Sequence, residues 1–118
     1  MLTITVPWPK RELSPNFRSR THWAKTRAVA AYRKGCGWEA VAQGAKAFSA
    51  DIVDVRVTFF PPDRQARDLD NMIASFKAGQ DGIADAINVP DHLWSTSYAV
   101  SEPVKRGQVV VEIKAREA

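Results

Sequence analysis

Residues 67–87 read RDLDNMIASFKAGQDGIADAI. From Leu69 onward, Leu69, Met72, Ile73, Phe76, Ile83, Ala84 and Ile87 recur at three- and four-residue spacing. That is the pattern of an amphipathic helix with one buried face. Asp68 or Asp70 stands at its start, where the helix dipole favours a carboxylate. On a wheel of about 100° per residue the apolar arc is centred roughly 110° from Asp70. Lys77 lies two turns beyond Asp70 and nearly in line with it, and Asp81 continues the stripe. Asp70, Lys77 and Asp81 therefore line one edge of the buried face. Asp68 can converge on Asp70 if its backbone is extended, and Asp91 follows in a loop of its own.

The segments around this helix set the fold class. DIVDVRVTFF (51–60) alternates, with Ile52, Val55, Val57 and Phe59 prominent, and reads as a strand. LTITV (2–6) reads the same way. PWPKRELSPNFRSR (7–20) has three prolines and five charges and reads as a loop. The Ala-rich run from Thr21 to about Lys46 predicts a basic helix capped by Thr21, which Gly35 and Gly37 kink or split. PPDRQAR (61–67) and NVPDHL (88–93) are loops. WSTSYAV (94–100) and QVVVEIKA (108–115) are strands, with a turn around Pro103 and Gly107. The order β–α–β–α–β–β predicts one small α+β domain over residues 1–118, a mixed sheet with two main helices.

Composition narrows the function classes. The chain has 118 residues and is 45% hydrophobic, enough for a modest core. Cys36 stands alone, which excludes an internal disulfide and a cysteine-based zinc site and fits a reducing cytosol. No stretch approaches the roughly 20 apolar residues of a membrane span, and MLTITVPWPKRE is not a signal-peptide pattern. The formal charge is +4 and unevenly spread. Residues 1–50 carry nine Lys/Arg against two Glu, whereas residues 51–118 carry eight Lys/Arg against eleven acids. A basic half beside an acidic half suggests a polyanion surface next to a site that needs carboxylates. A plain solvated surface is the ordinary alternative.

Converging carboxylates bind a hard cation such as Mg²⁺, which needs one or two of them together with water and substrate phosphate. Such an ion activates water and stabilises the leaving oxygen of a phosphodiester. A nearby lysine offsets developing negative charge. That is a metal-dependent nuclease in outline. Each residue also has an ordinary reading. Asp68 or Asp70 can be a helix N-cap, Lys77 and Asp81 a surface pair worth a few tenths of a kcal/mol, and Asp91 a turn residue. His22 and His92 are expected to be structural or exposed. Trp8, Trp23, Trp38 and Trp94 are expected in the core, although Trp8 or Trp23 in the basic region could stack on an exposed base.

Taken together, ITVPWP (4–9), Ser14-Pro15-Asn16, PPDRQARDLDN (61–71), Lys77 four residues before Asp81, and Asp91 resemble the RusA family of Holliday junction resolvases, small phage and prophage endonucleases. The likeness runs from about Ile4 to Val100, and Arg67–Asn71 (RDLDN) is its most specific part. It implies a homodimeric endodeoxyribonuclease in the cytoplasm of a bacterial or phage-infected cell. Such an enzyme depends on Mg²⁺, with Mn²⁺ able to substitute, and resolves four-way DNA junctions by paired nicks during recombination and repair. The family's essential acids fall on Asp68, Asp70 and Asp91, its lysine on Lys77 and its loop asparagine on Asn16. Lys77 sits about one helical turn further from the two aspartates than in the family pattern. Asp91 stands singly where relatives often carry a pair, with Asp85 the weaker candidate for its role. Arg64 and Arg67 sit beside the acids, where they meet phosphate and ease the crowding of negative charge. Lys10, Arg11, Arg18, Arg20, Lys25 and Arg27 supply further phosphate contacts. Two alternatives stand beside this reading: a non-catalytic DNA-binding protein of the same fold, and a nuclease for other branched or flapped DNA.

Overall fold

A computed structural model describes residues 1–18, 23–49 and 52–116. The chain runs β1 (Leu2–Pro7), α1 (Trp23–Ala42), β2 (Val53–Phe60), α2 (Leu69–Ile87), β3 (Trp94–Val100) and β4 (Gln108–Ala115). Single 3-10 turns at Arg11–Leu13 and Asp91–Leu93 punctuate the loops before α1 and β3. The four strands form one mixed sheet in the order β1-β4-β2-β3. β4 is antiparallel to both neighbours, while β2 and β3 are parallel and joined through α2. Among the described residues no helix is long and apolar enough to cross a membrane.

Strand alternation decides which face is covered. Val53, Val55, Val57 and Phe59 of β2 are buried, together with Ile4 and Val6 of β1 and Val109, Val111 and Ile113 of β4. They pack with Met72, Phe76, Ile83 and Ile87 of α2 and with Cys36 and Ala40 of α1. The opposite phase carries charged pairs in register, Asp54 against Lys114 and Arg56 against Glu112. Ile52 belongs to neither set. It lies outside β2 and is 38% exposed, because the inward phase of this strand falls on the odd-numbered residues. At the outer edge of β1, the Gln43 side chain takes the place of a neighbouring strand. Its Oε1 accepts from the Thr5 backbone N–H and its Nε2 donates to the Thr5 carbonyl, both at 2.7 Å.

α2 and the last two strands lie where the sequence puts them. α2 ends at Asn88, whose φ of 58° turns the chain out of the helix. α1 differs from expectation. It is one continuous helix through Gly35 and Gly37, and it stops at Ala42, before Gly44 with its φ of 103°. Gly37 is there for packing. A Cβ on it would fall 3.1 Å from the Gly82 carbonyl oxygen, and a Cβ on Gly82 would fall 2.1 Å from that of Arg33. The two helix backbones touch where they cross, and side chains would hold them apart. The expected cap, Thr21, lies outside the described residues.

Candidate active site

The rigid Pro61-Pro62 step leads from β2 into the start of α2. Asp68 is the residue before the helix, with extended backbone (φ −78°, ψ 133°), and its carbonyl accepts from the Met72 N–H at 3.1 Å. Its side chain makes no capping hydrogen bond. Instead it lines a cleft of about 560 Å³ with Trp8, Lys10, Arg11, Arg67 and Asn71. Arg67 is fixed there. It donates to Asp63 Oδ1 at 2.8 Å and to the Gln65 carbonyl at 3.1 Å, and its guanidinium stands 5.7 Å from the centre of the Trp8 ring. The hydrogen bond from Arg67, helped by the Gln65 N–H, holds the Asp63 carboxyl below the usual range.

A second group of charges lies along another edge of α2. Lys77 donates to Asp81 Oδ1 at 2.9 Å on its own helix and to Asp91 Oδ2 from the turn before β3. Partial burial disfavours its ammonium, but the bonds to Asp91 and Asp81 outweigh that and raise its pKa. Asp91 answers in the opposite sense. The hydrogen bond from Lys77 lowers its pKa against the opposing effect of burial, and hydrogen bonding from Gln80 adds to the lowering. Gln80 is buried, and its Oε1 accepts from the Tyr98 hydroxyl at 3.0 Å.

The backbone of Asp68 is extended, as convergence on Asp70 would need, but the two acids do not line the same cleft. Asp68 takes the side of Asn71 and Ser75 and faces the cleft. Asp70 is exposed in the first turn, does not line that cleft, and shares its helix edge with Lys77. Among the described residues, no three His, Cys, Asp or Glu side chains gather closely enough to hold a metal ion. The hard carboxylate donors fit Mg²⁺ in kind. In arrangement they are no ready-made cage, and Lys77 is bonded to one oxygen of Asp91.

No family model matches the chain. A protein of Xylella fastidiosa (strain Temecula1) is 38% identical to it over 120 residues, covering 96% of this chain and 76% of that protein. The two belong to one family. The relative is named only as an uncharacterized protein. The match takes in nearly the whole chain.

The remaining candidates divide. Lys10, Arg11 and Arg67 meet in the cleft. Arg67 lines the cleft beside Asp68 as expected, but its ion-pair partner is Asp63, and Arg64 pairs with Glu102 at 3.7 Å. Asn16 and Arg18 are exposed further along the loop, where the Asn16 N–H donates to Ser14 Oγ at 3.2 Å. Lys25 donates to the Ser14 carbonyl at 3.3 Å and ties α1 to that loop. Arg27 lines a separate recess of about 460 Å³ that shares Trp8 and Lys10 with the cleft. Arg20 and His22 lie outside the described residues. His92 is exposed, and Asp85 is taken by Arg33 at 2.9 Å. Cys36 is buried, and burial pushes its thiol up to about 12.

Two of the four tryptophans are not core: Trp23 is 58% exposed and Trp38 70%. α1 has no clean apolar stripe, so its large side chains were not assigned a face by periodicity. Gln80 and Tyr98 went unnoticed in the sequence. The available signal was an amide within the apolar arc of α2, at a position where a buried side chain must find partners.

Proposed function

We propose that this chain is a divalent-metal-dependent endonuclease of branched DNA, with the four-way junction its preferred substrate. One observation carries the reading. Asp68 stands at a helix N-cap yet makes no capping bond, and its carboxylate opens into a cleft lined by Lys10, Arg11 and Arg67. A carboxylate among phosphate-seeking cations gains nothing in a protein that only binds DNA. In a nuclease it meets the metal that the phosphate brings with it. In this reading Asp68, Asp70 and Asp91 are the carboxylates that would hold Mg²⁺ or Mn²⁺, drawn together only when metal and phosphate bind, and the metal would supply activated water and charge neutralisation at the scissile phosphate. Lys77 would meet the charge that develops there. Lys10, Arg11 and Arg67 would hold the backbone on either side. A homodimer follows from the substrate, since two-fold related strands call for two sites. The resemblance of RDLDN and its surroundings to RusA resolvases supports the same reading.

A second reading, DNA binding without catalysis, draws on the separation of the acids and on the bond between Lys77 and Asp91. One assay decides between them. A synthetic four-way junction and a linear duplex of the same arms are incubated with the protein, with and without Mg²⁺. Paired nicks in the junction that require the metal are expected. Tight binding with no metal-dependent strand breaks in any branched substrate supports the second reading and overturns the first.

A further inference from the structure

The cleft has a neighbour. A recess of about 460 Å³ opens between α1 and the loop after β1, and it shares Trp8 and Lys10 with the cleft. Its size lies within the range of ordinary ligand pockets, about 300–1,000 Å³. Trp8, Leu13 and Tyr32, with Ala28, Ala31 and Gly35 of α1, give it an apolar lining. Both rings are held in place. Trp8 stands edge-on to Phe59 with centroids 6.0 Å apart. Tyr32 stands edge-on to Phe76 at 6.3 Å, and its hydroxyl donates to the Pro7 carbonyl at 2.6 Å. Such walls lose little freedom when a ligand enters.

Gly35 shows that the space is kept open. Glycine is the least favourable helix residue after proline, and Gly35 lies mid-helix with no left-handed backbone angle to call for it. Gly37, Gly79 and Gly82 are each crowded by neighbours, whereas a Cβ on Gly35 would meet nothing within 4 Å. The borders of the recess select among ligands. Glu12 and Glu39 disfavour a phosphate there but can accept from the N–H groups of a base. Lys10 and Arg27, neither paired with an acid among the described residues, can meet the backbone that carries such a base.

We propose that the recess is a base pocket: while the phosphates of one DNA strand lie against Lys10, Arg11 and Arg67 in the cleft, one unpaired base of that strand turns into the recess and stacks on its aromatic wall. Branched DNA supplies such a base at least cost, because unpairing is cheapest where the strand is already open. The pocket rests on the reading of the cleft as a site for a DNA strand, whether or not the protein cuts that strand.

The test is an affinity cycle in chelator with the full chain. A synthetic four-way junction is compared by gel shift with junctions that lack one base, at each position near the branch in turn. For wild type, loss of the base at a single position should weaken binding by about 5–100-fold, the range for a base stacked on an aromatic side chain. Gly35→Leu fills the recess from a helix position with room for a side chain. It should bind the intact junction more weakly by a similar factor and no longer distinguish it from the abasic one. Circular dichroism checks the fold, and if Gly35→Leu does not fold, Ala31→Leu, one turn earlier on the same wall, takes its place. Tight wild-type binding that is indifferent to base removal, or full sensitivity retained by a folded variant, overturns the base pocket and leaves the reading of the cleft standing. No binding to any branched DNA overturns both.

Discussion

Lys77 on α2 bonds Asp91 across fourteen residues of sequence while keeping Asp81 Oδ1 at 2.9 Å. One ammonium thus links a helix edge to the turn that opens β3. Lys77→Ala should leave the fold intact, since the pairs are partly solvated and worth a few tenths of a kcal/mol each. Cleavage should fall roughly 100-fold if the ammonium meets charge developing on the phosphate. Circular dichroism and a junction-nicking assay on one preparation check both halves. Near-normal cleavage by the folded variant would make Lys77 a surface pair and nothing more.

Asp70→Asn should separate binding from cutting. Asn keeps the size and tolerates a helix start. Junction affinity should hold or rise slightly, most visibly at low salt where charge is least screened. Cleavage should drop by orders of magnitude, because the carboxylate is proposed to bind metal. Gel shift and denaturing gel measure the two. Wild-type nicking by this variant would remove Asp70 from the site.

Asp68→Ala distinguishes a cap from a functional acid. A capping side chain lost to Ala lowers stability by about 1 kcal/mol. Asp68 makes no such bond, so the loss should be limited to the dipole effect of a few tenths. Denaturant unfolding reads the difference. A full 1 kcal/mol loss with cleavage retained would return Asp68 to the role of a cap.

The pH dependence of stability follows from Lys77 and Asp91. Asp91 has a folded pKa below its ordinary value of 3.8, so its contribution is present above that pH and is lost as pH falls through the folded value. Lys77 has a folded pKa above 10.5, so its contribution is present below that pH and is lost as pH rises through the folded value. The pair should therefore add a constant amount between about pH 5 and 9. Melting curves of wild type and Asp91→Asn should run parallel across that range and converge only as pH falls through the folded pKa of Asp91, which lies below 3.8. Curves that converge already near neutrality contradict the bond.

Gly82→Ala should be among the most damaging small substitutions. The new Cβ would stand 2.1 Å from the Arg33 carbonyl oxygen, a backbone atom that cannot rotate away. The helices must part, at a cost of about 1–3 kcal/mol or more. Thermal melting should drop by several degrees, whereas Gly35→Ala, with nothing near its Cβ, should be neutral or mildly stabilising. Equal melting shifts for the two would deny the close crossing.

The sequence was most legible where one periodicity acted alone. α2 and both C-terminal strands have a single buried face, and their limits follow from it. Gly37 and Gly82 were opaque because their reason lies in the other helix, which no local pattern reports. Ile52 misled because a large apolar residue just outside a strand looks like part of it. At the site, helix spacing brought out the alignment of Asp70, Lys77 and Asp81. It could not show that Asp68 faces a different side, since that depends on the backbone before the first turn. The bond between Gln80 and Tyr98 joins α2 to β3 and has no signature within either of them.

β4 lies between β1 and β2, yet it is built from residues 108–115. A chain emerging from the ribosome therefore carries both flanking strands long before the one that joins them exists. Until Gln108 and its successors appear, the inward residues of β1 have no strand beside them, and β2 can pair only with β3, and only once α2 has carried the chain back. Synthesis arrested before residue 108 should leave a protease-sensitive nascent chain, and release of the next eight residues should render it resistant in one step.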